Sequence, residues 1–411
     1  MVKLGSRIDV AIVGGGMAGA SLALLLAKFC PNLSVALLEQ RPLMDPGASI
    51  ALPSFDTRAT ALAAGSLQLF DELGLWPQLK PYCAPISRVR VSDRGRAAGV
   101  AFTADKQRRA SFAGMLGAVI ENAALGPVLY RALARLPVTL VSPAQVERVR
   151  VCDQGVDLGW QGEDGPGCLA ARLLVVADGV DSPLCRQLGI ETERVEYRQR
   201  ALVATLATQR DHGGVAYERF TDRGPMAMLP LPRRDGSHRM ALVWTCPEED
   251  AGELQALAPA AFVQRVQSAF GWRAGRILRS GELQGYPLSL HVAWEQWRRN
   301  LVLLGNCAHF LHPVAGQGFN LTLRDSYHLA TTLAAGCCTG ESPGQLNLLE
   351  EYGRARRLDQ QLTIGFSDRV PALFAAPGLL AGGLRQAGLL GLNLAPSLRA
   401  SFIGQAAGFG L

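Results

Sequence analysis

Six residues near the start of the chain, Gly14-Gly15-Gly16-Met17-Ala18-Gly19, restrict the fold more than any other stretch. They stand between a short run rich in β-branched side chains, residues 10–13, and a run of good helix formers, residues 20–28. A strand that turns on glycines into a helix opens a βαβ unit. The distinction matters because residues 10–27 carry no charge, which is the length of a membrane span or of a leader's apolar core. Three consecutive glycines break that run in two, so the span is not expected. A second strand, residues 34–39, ends on Glu39. In such a unit Gly14 allows the tight turn, Gly16 lets a pyrophosphate approach the backbone, and Gly19 lets helix and strand pack closely. The helix start offers free N–H groups and the positive end of its dipole to phosphates. Glu39 would accept hydrogen bonds from a ribose diol and repel a 2′-phosphate, which disfavours NADP here. On this motif alone, FAD and NAD both fit.

Two later segments share the pattern of an apolar strand delivering polar residues to its end. One is Leu174-Val175-Val176-Ala177-Asp178-Gly179, which alone could be an ordinary turn. The other runs from Gly305-Asn306 through His309, His312 and Pro313 to Gly316-Gln317-Gly318-Phe319-Asn320. Gly316 and Gly318 would again free backbone N–H groups at a helix start, suited to the electron-rich edge of a reduced flavin. Asn306 could hydrogen-bond ribityl or phosphate oxygens.

Composition narrows the class. Of 411 residues, 48% are hydrophobic and 18% charged, so the chain supports a large core and is not disordered. Its net charge is +6, with only four lysines among 41 basic residues. The arginines are scattered, and no basic run interleaves with aromatics, so no nucleic-acid partner is expected. Nine cysteines include no CxxC pair, so neither a zinc framework nor a disulfide scaffold is expected. A reduced cytoplasmic setting follows.

Along the chain, helices are expected at residues 17–29, 60–74, 119–136, 260–270, 318–335 and 346–369. Residues 200–297 are dominated by strand-like runs separated by turn formers, which implies a second, largely antiparallel sheet. Residues 371–411 contain no acid and only two charges, Arg385 and Arg399. That tail suits either a helix packed on the core or a surface that docks on anionic lipid or receives a prenyl chain.

Taken together, the three motifs resemble the aromatic-ring flavin monooxygenases of the p-hydroxybenzoate hydroxylase type. That family usually begins its third motif with Gly-Asp; this chain has Gly305-Asn306. The departure, with His312-Pro313 and residues 316–320, is most similar to the ubiquinone-biosynthesis hydroxylases, and among them to those acting on 2-octaprenyl-6-methoxyphenol. Phe55-Asp56-Thr57-Arg58, Val91-Ser92-Asp93-Arg94-Gly95, Glu218-Arg219-Phe220-Thr221 and residues 224–230 also match. The resemblance covers about residues 8–370.

It implies an α/β fold: a Rossmann-type FAD-binding domain from residues 1–85, 105–185 and 298–345, an inserted, mostly antiparallel substrate domain from residues 86–104 and 186–297, and a C-terminal helical region, residues 346–411. It implies FAD as cofactor, NAD(P)H as a transient electron donor with no second glycine motif, and O2 as co-substrate. Gly14, Gly16, Gly19 and Glu39 would hold the ADP half. Arg58 would lie near the phosphates, and Asn122 and Asp178-Gly179 beside the cofactor. Asn306 would reach the ribityl chain, and Pro313, Gly316, Gly318, Phe319 and Asn320 would line the isoalloxazine. No catalytic triad is implied. His309 and His312 are the candidates for tuning phenol or flavin protonation, with packing as the alternative for each. The expected activity is hydroxylation of a polyprenylated phenol, with other pathway enzymes as partners and peripheral contact at the inner face of a bacterial plasma membrane. Hydroxylation at another ring position, prenyl-chain reduction and a non-catalytic flavin scaffold are the alternatives. A halogenase is disfavoured, because Trp294-Glu295-Gln296-Trp297 lacks the Trp-x-Trp-x-Ile-Pro spacing.

Overall fold

The computed structural model describes residues 2–3, 7–43, 56, 58–94, 99–104, 112, 114–221, 223–312 and 316–375. Two nine-stranded sheets dominate them. The core of the first is parallel, in the spatial order Leu301–Leu303, Gly165–Val176, Ile8–Val13, Val35–Leu38 and Val138–Val141. These strands are near-continuous apolar runs because both faces are covered. Alternation within Ile8–Val13 shows how. Val10 and Ile12 pack with Leu22, Leu25, Leu129 and Leu329 of the helices on one face. Ala11 and Val13 pack with Val156, Leu158 and Trp160 of an antiparallel meander on the other. That meander, Ala144–Cys152, Gly155–Gly162 and the first half of Gly165–Val176, extends the same sheet.

Four of the parallel strands end on the same edge, and each hands over at once to a polar or glycine residue: Val13 to Gly14, Leu38 to Glu39, Val176 to Ala177-Asp178, and Leu303 to Leu304-Gly305-Asn306. Ligands of open α/β sheets bind outside the carboxyl ends of the strands, and this edge opens onto the molecule's large cavity.

The second sheet is antiparallel except where Val215–Thr221 runs parallel with Arg88–Asp93. Its outer face carries Leu202, Met226, Met228, Leu242 and Trp244 against Phe262, Val266 and Phe270 of the helix Pro259–Phe270. Its inner face presents Val91, Ala201, Val203, Ala227, Leu229 and Val243 to the cavity. The period-two alternation of each strand makes this division. A three-stranded antiparallel sheet, Ala59–Ala63, Gly117–Glu121 and Cys83–Ile86, joins the cavity wall between the two.

Several expectations are corrected. The helix anticipated from residue 60 begins at Ala64, and the one anticipated from residue 119 begins at Asn122. In both places the preceding residues pair with each other as strands, which tertiary pairing achieves because alanine-rich and valine-rich segments tolerate either backbone. The helix Glu248–Gln255 went unanticipated, although three acids in its first turn suit a helix start. The last helix runs Leu346–Ala375. Beyond it, the apolar tail lies outside the described residues, as does Pro313. Among the described residues no helix is long and apolar enough to cross a membrane.

Candidate functional site

The cavity measures about 1980 Å³. A pocket for one drug-sized ligand is about 300–1,000 Å³, so this one has room for a dinucleotide and a second molecule. Gly14, Gly16, Glu39, Arg58, Asn122, Asp178, Gly179, Asn306, Gly316, Gly318, Phe319 and Asn320 all line it. Segments hundreds of residues apart in the chain thus meet at one place.

At the glycine turn, Gly14 has φ +108°. A Cβ there would collide with the carbonyl oxygen of Ala177, so the turn and the Asp178 strand approach closely only because residue 14 has no side chain. A Cβ on Gly19 would strike the carbonyl of Gly14; Gly19 therefore acts in helix–strand packing and does not line the cavity. Gly16 caps the helix Met17–Phe29 without a side-chain hydrogen bond, leaving the first helical N–H groups for a ligand. Glu39 is buried, 6% exposed, and accepts hydrogen bonds from the N–H groups of Gly15 at 2.6 Å and Arg41 at 2.9 Å. Each carboxylate oxygen keeps acceptor capacity for a ribose hydroxyl. Tyr130, unremarked in the sequence, donates its hydroxyl to the Gly15 carbonyl and braces the loop from behind.

Asp178 accepts a hydrogen bond from Ser182 Oγ at 2.7 Å through Oδ2, while its Oδ1 is buried with no protein partner. Burial pushes its carboxyl up to about 6; the Ser182 bond opposes the shift and the Glu39 charge adds to it. A buried acceptor without a donor is costly and marks where a ligand group belongs. Gly179 follows with φ +102°.

The third segment makes the turn Gly305–Cys307, with Gly305 at φ +74° and Asn306 exposed to the cavity. Gly316, left-handed at φ +61°, then caps the helix Gln317–Cys338 without a side-chain hydrogen bond of its own. Asn320 is 1% exposed. Its Oδ1 accepts from Ala63 N–H at 2.8 Å and from Ser66 Oγ at 2.7 Å. Its Nδ2 donates to the Ala61 and Gly316 carbonyls, both at 2.8 Å. All four capacities of the amide are used, so Asn320 bolts the helix start onto Ala59–Ala63 rather than presenting its amide to a ligand. Asn122 opens its helix and accepts from Thr60 Oγ1 at 2.6 Å. Arg58 pairs with Asp56 at 2.6 Å and lies over the ring of Tyr286, 4.8 Å from its centroid. Tyr286 had no sequence signal, because it reaches Arg58 from the other sheet.

The two histidines separate. His309 is 1% exposed, does not line the cavity, and bonds Asp325 at 2.7 Å. Asp325 in turn accepts from Arg356 Nε at 2.6 Å, and Asp359 binds both Arg356 and Arg324. His309 therefore belongs to a buried ionic network between the helices Gln317–Cys338 and Leu346–Ala375. His312 does line the cavity, edge-on to Tyr197 with ring centroids 5.4 Å apart. Burial pushes it down to about 4, against the opposing pull of Asp368, so it is neutral at pH 7 and is no proton donor there. Cys307 is buried, with its thiol on the Val176 carbonyl.

An uncapped helix start beside a glycine turn, a carboxylate placed for a diol, an orphaned Asp178 oxygen and a second uncapped helix start together fit a flavin dinucleotide. Comparisons agree. Residues 7–367 match the family model described as an FAD binding domain. A ubiquinone hydroxylase UbiL of Rhodospirillum rubrum is 36% identical over 368 residues, covering 89% of this chain and 82% of that one. The 3-demethoxyubiquinol 3-hydroxylase of Escherichia coli is 29% identical over 377 residues, covering 89% and 91%. Among solved structures, p-nitrophenol 4-monooxygenase PnpA of Pseudomonas putida superposes with a TM-score of 0.75 at 18% identity, covering the whole of both chains; that likeness concerns the fold.

Proposed function

This chain belongs to the FAD-binding-domain family of flavin monooxygenases, and on that premise we propose that it hydroxylates the aromatic ring of a polyprenylated phenol in ubiquinone biosynthesis. The single observation that carries the reading is the shared cavity. One end has the polar cradle of a dinucleotide, and the other has an apolar roof from the second sheet. FAD, when bound, supplies the electron and O2 chemistry that no side chain offers. The chain's own contribution is binding, orientation and exclusion of water. Gly14, Gly16 and Glu39 would hold the ADP half. Asp178 would meet a cofactor donor with its free oxygen, and Asn306 would reach the linking chain. The helix start at Gly316 would face the flavin ring with N–H groups, held in register by Asn320. The ring of the substrate would lie under Val203, Ala227, Leu229 and Val243.

The proposed substrate is 2-octaprenyl-6-methoxyphenol, with NADH or NADPH as electron donor. The name of the Escherichia coli relative favours a second reading, hydroxylation at another ring carbon of the same pathway. Holoprotein supplied with O2, each nicotinamide and short-chain phenol precursors tests both. Hydroxylated product with matching O2 uptake is expected, and its structure assigns the ring carbon. Product formed without O2 uptake would instead indicate a prenyl-chain reductase.

We also propose peripheral contact with anionic lipid. Gln361, Leu362, Gly365 and Phe366 of the helix Leu346–Ala375 line the cavity, and Leu358 and Leu362 are exposed at 54% and 44%. A long apolar chain leaving the cavity would meet them. Deleting the residues after Pro371 should abolish sedimentation with anionic vesicles; unchanged sedimentation would rule that contact out.

A further inference from the structure

Where Val215–Thr221 and its neighbours Arg88–Asp93 and Gly224–Arg234 line the cavity, Glu218 is the one charged residue. Glu218 lies on Val215–Thr221 and lines the cavity. Its cross-strand neighbours are Val91 on one side and Ala227 on the other. Two residues before and after it along the strand stand Ala216 and Phe220, also in the lining. Of its neighbours, Tyr217 also borders the cavity but donates its hydroxyl to the Arg273 carbonyl, and Arg219 bonds the Ala269 carbonyl and Ser92. Glu218 is thus a carboxyl set in a hydrocarbon wall. Other charged groups of the cavity include Glu39, Arg58, Asp178, Arg194 and Glu196. Glu218 is half-buried, and desolvation by the wall around it pushes its carboxyl up to about 7. Such a group is expensive to keep in a roof that otherwise needs only shape, and strongly perturbed acids concentrate at functional positions.

We propose that Glu218 binds the ring hydroxyl of the phenol substrate and takes up its proton as the ring is attacked. This rests on the hydroxylase reading above. The phenol O–H bond breaks and a carboxyl O–H bond forms on Glu218. The oxygen's electron pair is released into the ring, raising electron density at the ortho and para carbons, and no oxidation or reduction occurs in this step. The apolar surroundings favour an uncharged hydroxyl as partner. The one polar contact also fixes which edge of the ring faces the cofactor. A general base works best when its pKa is near the working pH.

The test uses FAD-loaded protein with a soluble short-chain 2-prenyl-6-methoxyphenol and its O-methyl ether, which cannot donate a proton. Binding by calorimetry should favour the phenol by about tenfold or more above pH 7, and the preference should shrink towards pH 6. Glu218→Gln should keep its FAD content and visible spectrum yet lose both the preference and its pH dependence. In turnover, kcat/KM of the wild type should show a limb near pH 7 that Glu218→Gln lacks, with more reducing equivalents released as hydrogen peroxide. Glu218→Asp should restore the limb with poorer coupling. Equal binding of phenol and ether by the wild type, or an unchanged preference in Glu218→Gln, overturns the proposal. A wild type that prefers the phenol through Glu218 but consumes no O2 supports this contact and overturns the hydroxylase reading instead. Hydroxylation with the same pH limb in Glu218→Gln does the reverse.

Discussion

Gly14 shows how little freedom single positions of the cradle have. Its φ of +108° and the Ala177 carbonyl against its missing Cβ make Gly14→Ala strained twice over, at about 1–3 kcal/mol for the backbone alone. The variant should purify with little bound flavin, read as the ratio of visible to ultraviolet absorbance; a full complement of FAD would mean that this turn does not face the pyrophosphate. Glu39→Ala should act differently, because it orphans the N–H groups of Gly15 and Arg41. A loss of about 1–3 kcal/mol, or roughly 5–150-fold in FAD affinity, is expected by titration of the flavin-free protein. Asp178 sets a pH dependence whose sign follows from burial. Its folded pKa near 6 lies above the ordinary 3.8, so the folded state holds the proton more tightly than the unfolded chain. The flavin-free fold is therefore favoured at low pH and loses stability as pH rises from about 4 through 6. Asp178→Asn removes that loss and should stabilise the flavin-free protein at pH 8 by at most about 3 kcal/mol, with no gain near pH 4. Equal unfolding midpoints at pH 8 would contradict this assignment.

Among the elements, the pair of helices Gln317–Cys338 and Leu346–Ala375 is joined by charges rather than by apolar packing alone. Arg356 is 2% exposed and pairs with both Asp325 and Asp359. Arg356→Met removes one of the two partners of each of two buried carboxylates, Asp325 and Asp359, so unfolding in urea should shift by about 3–5 kcal/mol, with FAD affinity falling because Asp325 lies on the helix that starts at Gly316. A shift under about 1 kcal/mol would mean that the network is solvated. This network was not legible in the sequence. Spacing presents His309 beside a glycine-rich loop, whereas its partners come from helix turns that only the fold brings near. The glycine turns were legible because they are local: a strand, a turn and a helix need only neighbouring residues to declare themselves. Ala59–Ala63 and Gly117–Glu121 were not, since each is a strand by virtue of partners distant in the chain. Glu218 stood in the sequence as part of a family match, yet its isolation among apolar side chains depends on three strands meeting in register.

For the whole molecule, the cavity between sheets makes FAD a structural component as well as a reagent. A ligand present at 100 times its Kd stabilises the fold by about 2.7 kcal/mol, so saturating FAD should raise the melting temperature of the wild type, raise that of Gly14→Ala much less, and leave the difference independent of substrate. Equal shifts in both proteins would separate flavin binding from the turn. The order of strands in the parallel sheet carries a further consequence. Leu301–Leu303 pairs with the end of Gly165–Val176, although well over a hundred residues separate them. At about 5–20 residues per second, a ribosome takes roughly 6–25 s to deliver the second strand after the first. Throughout that interval the nascent chain carries an apolar strand with a bare edge, the surface most prone to mispairing. Most strands of the second sheet are made during the same seconds. Slow folding of that sheet would lengthen the exposure beyond the time that synthesis alone imposes.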